Sequence, residues 1–275
     1  MKIDSHQHFW KFNTTEFGWI DQSMKILQRD FLPSDLEDEL KKEGFDGTIA
    51  VQARQSLEET KWLLQLADQH PFIKGVVGWV DLCSPDIDLQ LAELSSDKKL
   101  VGVRHVIHDE ADDQFMLRDD FRNGIRCLAK YGLTYDLLLF PKHLKYASIL
   151  VAEFPDQPFV IDHISKPLIS QGTMDPWKTD IKLLARYPNL YCKLSGMVTE
   201  AAWNNWNQQT FEPYLDTVFE AFGPDRLMIG SDWPVCLLGG SYSAVIAIVR
   251  KYIEKLDPEA QKKIPGENCC EFYNL

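Results

Sequence analysis

His6-Gln7-His8 is the first place where residue type and spacing suggest chemistry. On a strand, residues two apart project to one face, so both imidazoles point the same way. Such a pair suits a borderline metal such as zinc. The competing reading is a pair of satisfied polar histidines. Three other apolar runs end in ionisable groups. Phe159-Val-Ile-Asp162-His163 ends in an imidazole, and Leu227-Met-Ile-Gly230-Ser-Asp232-Trp-Pro234 in a carboxylate. Val101-Gly-Val-Arg104-His105 ends in a cation and an imidazole. A charge left unpaired at the end of an apolar strand is costly, so each needs a partner. One shared site is the simplest common explanation, with a structural ion-pair network as the alternative.

Eight short β-type runs position these groups: 2–8, 47–53, 75–82, 100–106, 133–140, 158–163, 190–196 and 226–232. Several are apolar on both faces, as buried parallel strands are. Helical patterns lie between them. Ser34 with Glu37, and Ser56 with Glu59, have capping-box spacing. Ser84-Pro85 and Asp175-Pro176 place a cap residue before a proline suited to the first helical position. Gly44, Gly132 and Gly223 follow helical patterns where a left-handed terminator is wanted. Eight strands alternating with helices predict a single (β/α)8 TIM barrel over residues 1–275. An open doubly wound sheet is the other architecture, but no G-x-G-x-x-G follows the first strand. Two connections exceed plain turns. Residues 9–33 carry Phe9, Trp10, Phe12, Phe17 and Trp19, and residues 197–212 carry Trp203 and Trp206. They form either small satellite cores or the walls and lid of a pocket.

Composition narrows the partners. Lys+Arg number 29 against 41 Asp+Glu, a formal charge of -12, which gives no footing for nucleic acid or anionic membrane surfaces. No apolar stretch approaches the roughly 18 residues of a membrane span, and none is flanked like a signal peptide. Six cysteines without a C-x-x-C pair read as buried free thiols in a reducing, cytoplasmic compartment. A small molecule is the expected partner. Homo-oligomerisation is left open.

The ordered motifs resemble those of the amidohydrolase superfamily, in its sugar-lactonase branch. They are His6-Gln-His8-Phe-Trp10, Val51-Gln-Ala-Arg54-Gln-Ser56-Leu-Glu-Glu-Thr60, Gly102-Val-Arg104-His105 and Asp162-His163-Ile-Ser-Lys166-Pro167. Lys193-Leu-Ser-Gly196, Gly230-Ser-Asp232-Trp-Pro234 and Glu267-Asn-Cys-Cys-Glu-Phe-Tyr273 continue the series. The resemblance implies an amidohydrolase-type barrel with its site at the strand C-termini. It implies that His6, His8 and Asp232 surround a divalent ion, zinc being the natural candidate, with His163 a ligand or a carbonyl-polarising neighbour. It also implies the opening of a sugar aldonolactone, such as an L-fucono- or L-rhamnonolactone. One departure limits the metal count. Two-metal members use a carbamylated lysine from the fourth strand, where this chain has Leu100-Val-Gly-Val-Arg104-His105, so at most one ion follows.

Ring opening needs an activated water, a polarised ester carbonyl and a proton for the leaving alkoxide. A bound ion brings the pKa of its water to about 7. Asp232 can take the proton and return it, and His163 or the metal can stabilise oxyanion charge. Arg54, Arg104, His105 and Lys166 offer donors to the substrate, beside Trp10, Trp203 and Trp233 as aromatic walls. Arg104 has an alternative in pairing with Asp232 or Asp136. Asp4 either orients a histidine or bonds to backbone. His70 reads as a surface cap, His108 and His143 receive no role, and Ser195 lacks a nucleophile-elbow context. Two other functions compete: a metal-dependent decarboxylase of the same superfamily, and a catalytically silent barrel.

Overall fold

Parallel pairing runs unbroken from the first strand to the eighth in a computed structural model that describes all 275 residues. The strands are β1 (Ile3–Gln7), β2 (Gly47–Val51), β3 (Ile73–Gly78), β4 (Leu100–His105), β5 (Thr134–Leu137), β6 (Phe159–Ile161), β7 (Leu190–Leu194) and β8 (Leu227–Ile229). Beyond β8 the sheet returns to β1. Gln7 bridges Trp233, the His8 amide donates to the Trp233 carbonyl at 2.7 Å, and the Asp232 amide donates to the His6 carbonyl at 2.8 Å. The result is a nearly closed (β/α)8 barrel.

The helices are α1 (Pro33–Lys42), α2 (Leu57–Gln69), α3 (Ile87–Leu94), α4 (Asp119–Leu128), α5 (Leu144–Glu153), α6 (Trp177–Leu184), α7 (Met197–Glu200), α8 (Gln208–Phe222) and α9 (Tyr242–Ile253). Ser56 caps α2 as expected, its hydroxyl accepting from the Glu59 amide at 3.3 Å. Ser34 does not cap α1. The cap position is Leu32, two residues earlier, and the Asp35 carboxylate accepts from the Leu32 amide at 2.9 Å. Pro85 and Pro176 lie ahead of helices that begin at Ile87 and Trp177, not at their first positions. Gly44, Gly132 and Gly223 all have positive φ, which a side chain would resist.

The third strand is displaced from the expected span. Trp79 has left the sheet because the Thr60 hydroxyl bonds both its amide and its carbonyl at 2.8 Å. The sixth and eighth strands end early, at Ile161 and Ile229, ahead of left-handed backbone at His163 and Asp232.

Apolar side chains sort into two clusters. One fills the space between strands and helices, and includes Leu36, Leu63, Leu91, Ile125, Leu150 and Ile181. The other joins Ile3, Ile49, Val51, Val77, Val160 and Met228 to Cys269, Phe272 and Tyr273. The segment Asn268–Tyr273 thus seals one end of the strands, and the polar groups gather toward the other. Trp10 packs on Phe17, Trp19 and Phe31, and Phe9, Trp10, Phe17 and Phe31 join the first cluster, so the aromatics of 9–33 extend the main core and do not form a satellite of their own. No helix is long and apolar enough to cross a membrane.

Candidate active site

His6 and His8 are both buried, and their Nε2 atoms lie 3.2 Å apart. The register of β1 shifts between Asp4 and Gln7, so Asp4 does not follow His6. Asp4 instead accepts from the Ser231 amide at 2.8 Å, the Ser231 hydroxyl at 2.6 Å and the Tyr242 hydroxyl at 3.0 Å. It ties β1 to the turn after β8. His8 Nδ1 lies 2.8 Å from the Val51 carbonyl, an obligate acceptor, so Nδ1 carries the hydrogen and Nε2 keeps its lone pair.

His163 opens an unusual segment. His163, Ile164, Ser165 and Lys166 have φ of 55°, 48°, 61° and 48°, and the Lys166 amide closes the turn on the His163 carbonyl at 2.8 Å. Four consecutive non-glycine residues in the left-handed region cost roughly 1–2 kcal/mol each, so surrounding contacts must hold them. Trp177 Nε1 donates to the Ile164 carbonyl at 2.7 Å, and the Ile164 side chain is fully buried. Gly196 leaves the room: a Cβ there would come within 2.5 Å of His163 Nδ1. Asp232 is also left-handed, at φ 58°. Strain of this kind collects where side chains must be aimed.

Asp232 Oδ1 is the common neighbour. It lies 3.5 Å from His8 Nε2, 3.8 Å from His163 Nε2 and 3.9 Å from His6 Nε2. Behind this group sits a fully buried charged layer. Arg104 donates to Asp162 Oδ2 at 2.9 Å, and Lys193 contacts both Asp136 and Asp162. The Tyr273 hydroxyl caps Asp136 from below at 2.9 Å. Arg104 therefore pairs with Asp162, not with Asp232 or Asp136. Asp162 also lies 3.2 Å from His6 Nδ1, the orienting position considered for Asp4.

These donors fit a divalent ion. His6, His8 and Asp232 offer ligand atoms all within 4.8 Å of one another. Ligand atoms about a tetrahedral ion with bonds of ~2.0–2.1 Å have comparable spacing. His6 Nε2 and His8 Nε2 face each other across 3.2 Å beside the Asp232 carboxylate, two nitrogens and an oxygen of the kind a zinc ion gathers. Arg104 Nη1 lies 3.3 Å from His6 Nε2.

Burial disfavours the imidazolium forms of His6 and His163 and holds both well below the usual histidine range, although Asp162 and Asp232 respectively pull upward. For Asp232, burial pushes upward, but His163, His8 and Lys166 outweigh it and keep the carboxyl below its ordinary value. A neutral imidazole beside an ionised carboxylate is a poised pair for moving a proton.

The group opens into a cavity of about 370 Å³. Its polar lining includes Arg104, His108, Asp109, Lys166 and Glu200, with Lys166 donating to Glu200 at 2.8 Å. Its apolar lining includes Trp10, Trp19, Met24, Leu138, Trp203, Val235 and Leu238. Several expected contacts lie elsewhere. Trp233 is buried against Phe9 and Phe31. His105 stacks on Phe115 and meets Glu110 at 2.7 Å, off the cavity. Arg54 pairs with Glu16 and Glu59 in a separate recess of about 190 Å³ that Trp10 also borders. His108 was not expected to face the cavity. Its ring packs edge-on against Phe140, and burial, aided by Lys166 and Arg104, pushes it down to about 3. All six cysteines are free, but Cys83, Cys127 and Cys270 are only partly buried.

Residues 3–275 match the profile of the family described as Amidohydrolase. Two L-fucono-1,5-lactonases, from Burkholderia multivorans and Burkholderia ambifaria, are 39% and 37% identical to this chain, each alignment covering 100% of it and 96% of the relative. A crystal structure of an amidohydrolase from Burkholderia multivorans with bound zinc superposes with a TM-score of 0.95 at 37% identity, covering 100% of this chain and 99% of that one. A 2,6-dihydroxybenzoate decarboxylase from Rhizobium shares the fold alone, with a TM-score of 0.66 at 15% identity over 99% of this chain and 98% of that one.

Proposed function

This chain belongs to the amidohydrolase family, and on that premise we propose that it hydrolyses the ester ring of a sugar aldonolactone. The observation that carries the reading is Asp232 Oδ1, within 3.5–3.9 Å of three imidazole nitrogens, with Asp232, His8 and His163 lining a cavity that also holds both polar and apolar side chains. The full-length likeness to L-fucono-1,5-lactonases supports an L-fucono- or related 6-deoxy lactone and counts against the decarboxylase. The whole span 1–275 acts as one barrel unit in this reading. The free cysteines suit a reducing cytoplasmic compartment.

We assign one divalent ion, zinc, to His6, His8 and Asp232. Such an ion acidifies water and polarises a carbonyl. Asp232 takes a proton from the attacking water as its oxygen bonds to the lactone carbonyl carbon. The ring C–O bond then breaks, and Asp232 returns the proton to the departing ring oxygen, leaving the open acid. His163 donates from Nε2 to the carbonyl oxygen as negative charge grows there. Its tautomer follows from Ser195, whose buried hydroxyl lies 2.9 Å from His163 Nδ1 and has no other hydrogen-bond acceptor. The hydroxyl hydrogen goes to Nδ1, so Nε2 carries the ring hydrogen. Arg104, His108 and Lys166 meet ring hydroxyls, while Trp19, Met24 and Leu238 pack on apolar carbons and on a C6 methyl.

The test is a pH-indicator assay across L-fuconolactone, L-rhamnonolactone, L-arabinonolactone and γ-butyrolactone. The hydroxylated lactones should have the higher kcat/KM, because each cavity donor left unmet costs roughly 1–3 kcal/mol. Equal values across the set overturn the sugar assignment.

A further inference from the structure

Lys193 stands on β7 with no exposed surface. Its ammonium contacts Asp136 Oδ2, lies 3.0 Å from Asp162 Oδ1 and sits 3.3 Å from His6 Nδ1. Two carboxylate oxygens and an imidazole nitrogen, sealed from water, are the donors a first-row divalent ion selects. Asp162 Oδ1 makes no hydrogen bond of acceptable angle, although it is completely buried. It is held there by charge and distance, the terms on which a metal ion binds, not by the directed hydrogens of an ammonium. His6 adds a second sign. Each of its ring nitrogens faces a cationic side chain, Lys193 at Nδ1 and Arg104 at Nε2.

We propose that Lys193 fills a second cation position and thereby limits the barrel to one metal ion. With that side chain cut back to a small neutral one, Asp136, Asp162 and His6 Nδ1 become a site for a second divalent ion. The electrostatics push the same way. Without Lys193 the two buried carboxylates retain Arg104 as their one salt-bridged cation, with the Tyr273 hydroxyl still on Asp136, and uncompensated buried charge is strongly destabilising. The inference rests on the proposed ion at His6, His8 and Asp232 only for the count in the unaltered protein.

The experiment is elemental analysis of wild type, Lys193→Ala and the double variant Lys193→Ala/Asp136→Asn after equilibration with zinc and removal of the excess. The double variant lowers the buried charge and removes one ligand, so it separates metal binding from simple loss of the lysine. The expected result is one equivalent in wild type, two in Lys193→Ala and one in the double variant. A folded Lys193→Ala protein with the wild-type count overturns the proposal, as does an extra equivalent surviving in the double variant. If Lys193→Ala is unfolded as purified, refolding by zinc, seen as recovery of the native circular dichroism, supports it. Failure of zinc to refold it while the double variant folds overturns it. Zero equivalents in wild type with one in Lys193→Ala would sink the His6, His8 and Asp232 assignment and leave this one standing.

Discussion

Ser195 holds the far nitrogen of His163: its hydroxyl lies 2.9 Å from Nδ1, on the opposite edge of the ring from Asp232. A buried serine here works as a tautomer lock. Ser195→Ala should lower kcat by about 10–100-fold, the usual effect of removing a hydrogen bond that orients such a ring, with KM little changed. Steady-state kinetics on the best lactone decide it. A purely raised KM would move His163 from charge stabilisation to substrate recognition.

Asp232→Asn keeps the size of the side chain but removes the proton acceptor. Turnover should fall at least about 10²-fold while the circular dichroism spectrum and Tm stay close to wild type. Unchanged turnover ends the case for Asp232 as the proton carrier.

Metal loading gives an independent check. Zinc-equilibrated protein should hold one equivalent, and stripping it with a chelator should abolish lactone opening. A stoichiometry near zero with full activity would leave His6, His8 and Asp232 as a hydrogen-bonding cluster.

Gly196→Ala should be destabilising by about 1–3 kcal/mol, since φ there is 63° and the new methyl would meet the His163 ring. Thermal unfolding and turnover should both suffer. A variant as stable and as active as wild type would show that the left-handed segment can shift at little cost.

Glu59 offers a test through pH. Burial lifts its carboxyl to about 7, against the pull of Arg54 and the Ala53 and Arg54 amides. The folded protein then holds a proton that the unfolded chain releases near its ordinary pKa of 4.5, so stability falls as pH rises from there toward 7. Glu59→Gln removes that slope and keeps an oxygen for the two amides. Its Tm relative to wild type should therefore be higher at pH 8 than at pH 5. A constant difference across that range would mean Glu59 is not perturbed in this way.

The four groups that converge were legible because each ends an apolar run, and a parallel barrel brings such ends to one rim. Parity correctly paired His6 with His8. Parity alone did not settle Asp4, which takes the backbone-bonding alternative: beside the register shift in β1 it accepts from the Ser231 and His6 amides. The partner of Arg104 was missed because Asp162 reads as the last residue of an apolar strand, and alternation does not say which face it takes. Loop side chains were hardest. Trp233 shares its motif with Asp232 yet packs into the core, while His108 reaches the cavity from a loop with no periodic signal.

The bridge between β1 and the turn after β8 has a consequence for the chain as it is made. His6 and His8 emerge from the ribosome early, and Asp232 only after the other seven strands. The amide of Asp232 binds the carbonyl of His6, so the contact that shuts the ring also delivers the carboxylate to the imidazoles. A nascent or clipped chain lacking β8 carries the histidines without the acid. Lactone opening would thus report ring closure itself, and no partly built barrel should leak activity into the cell.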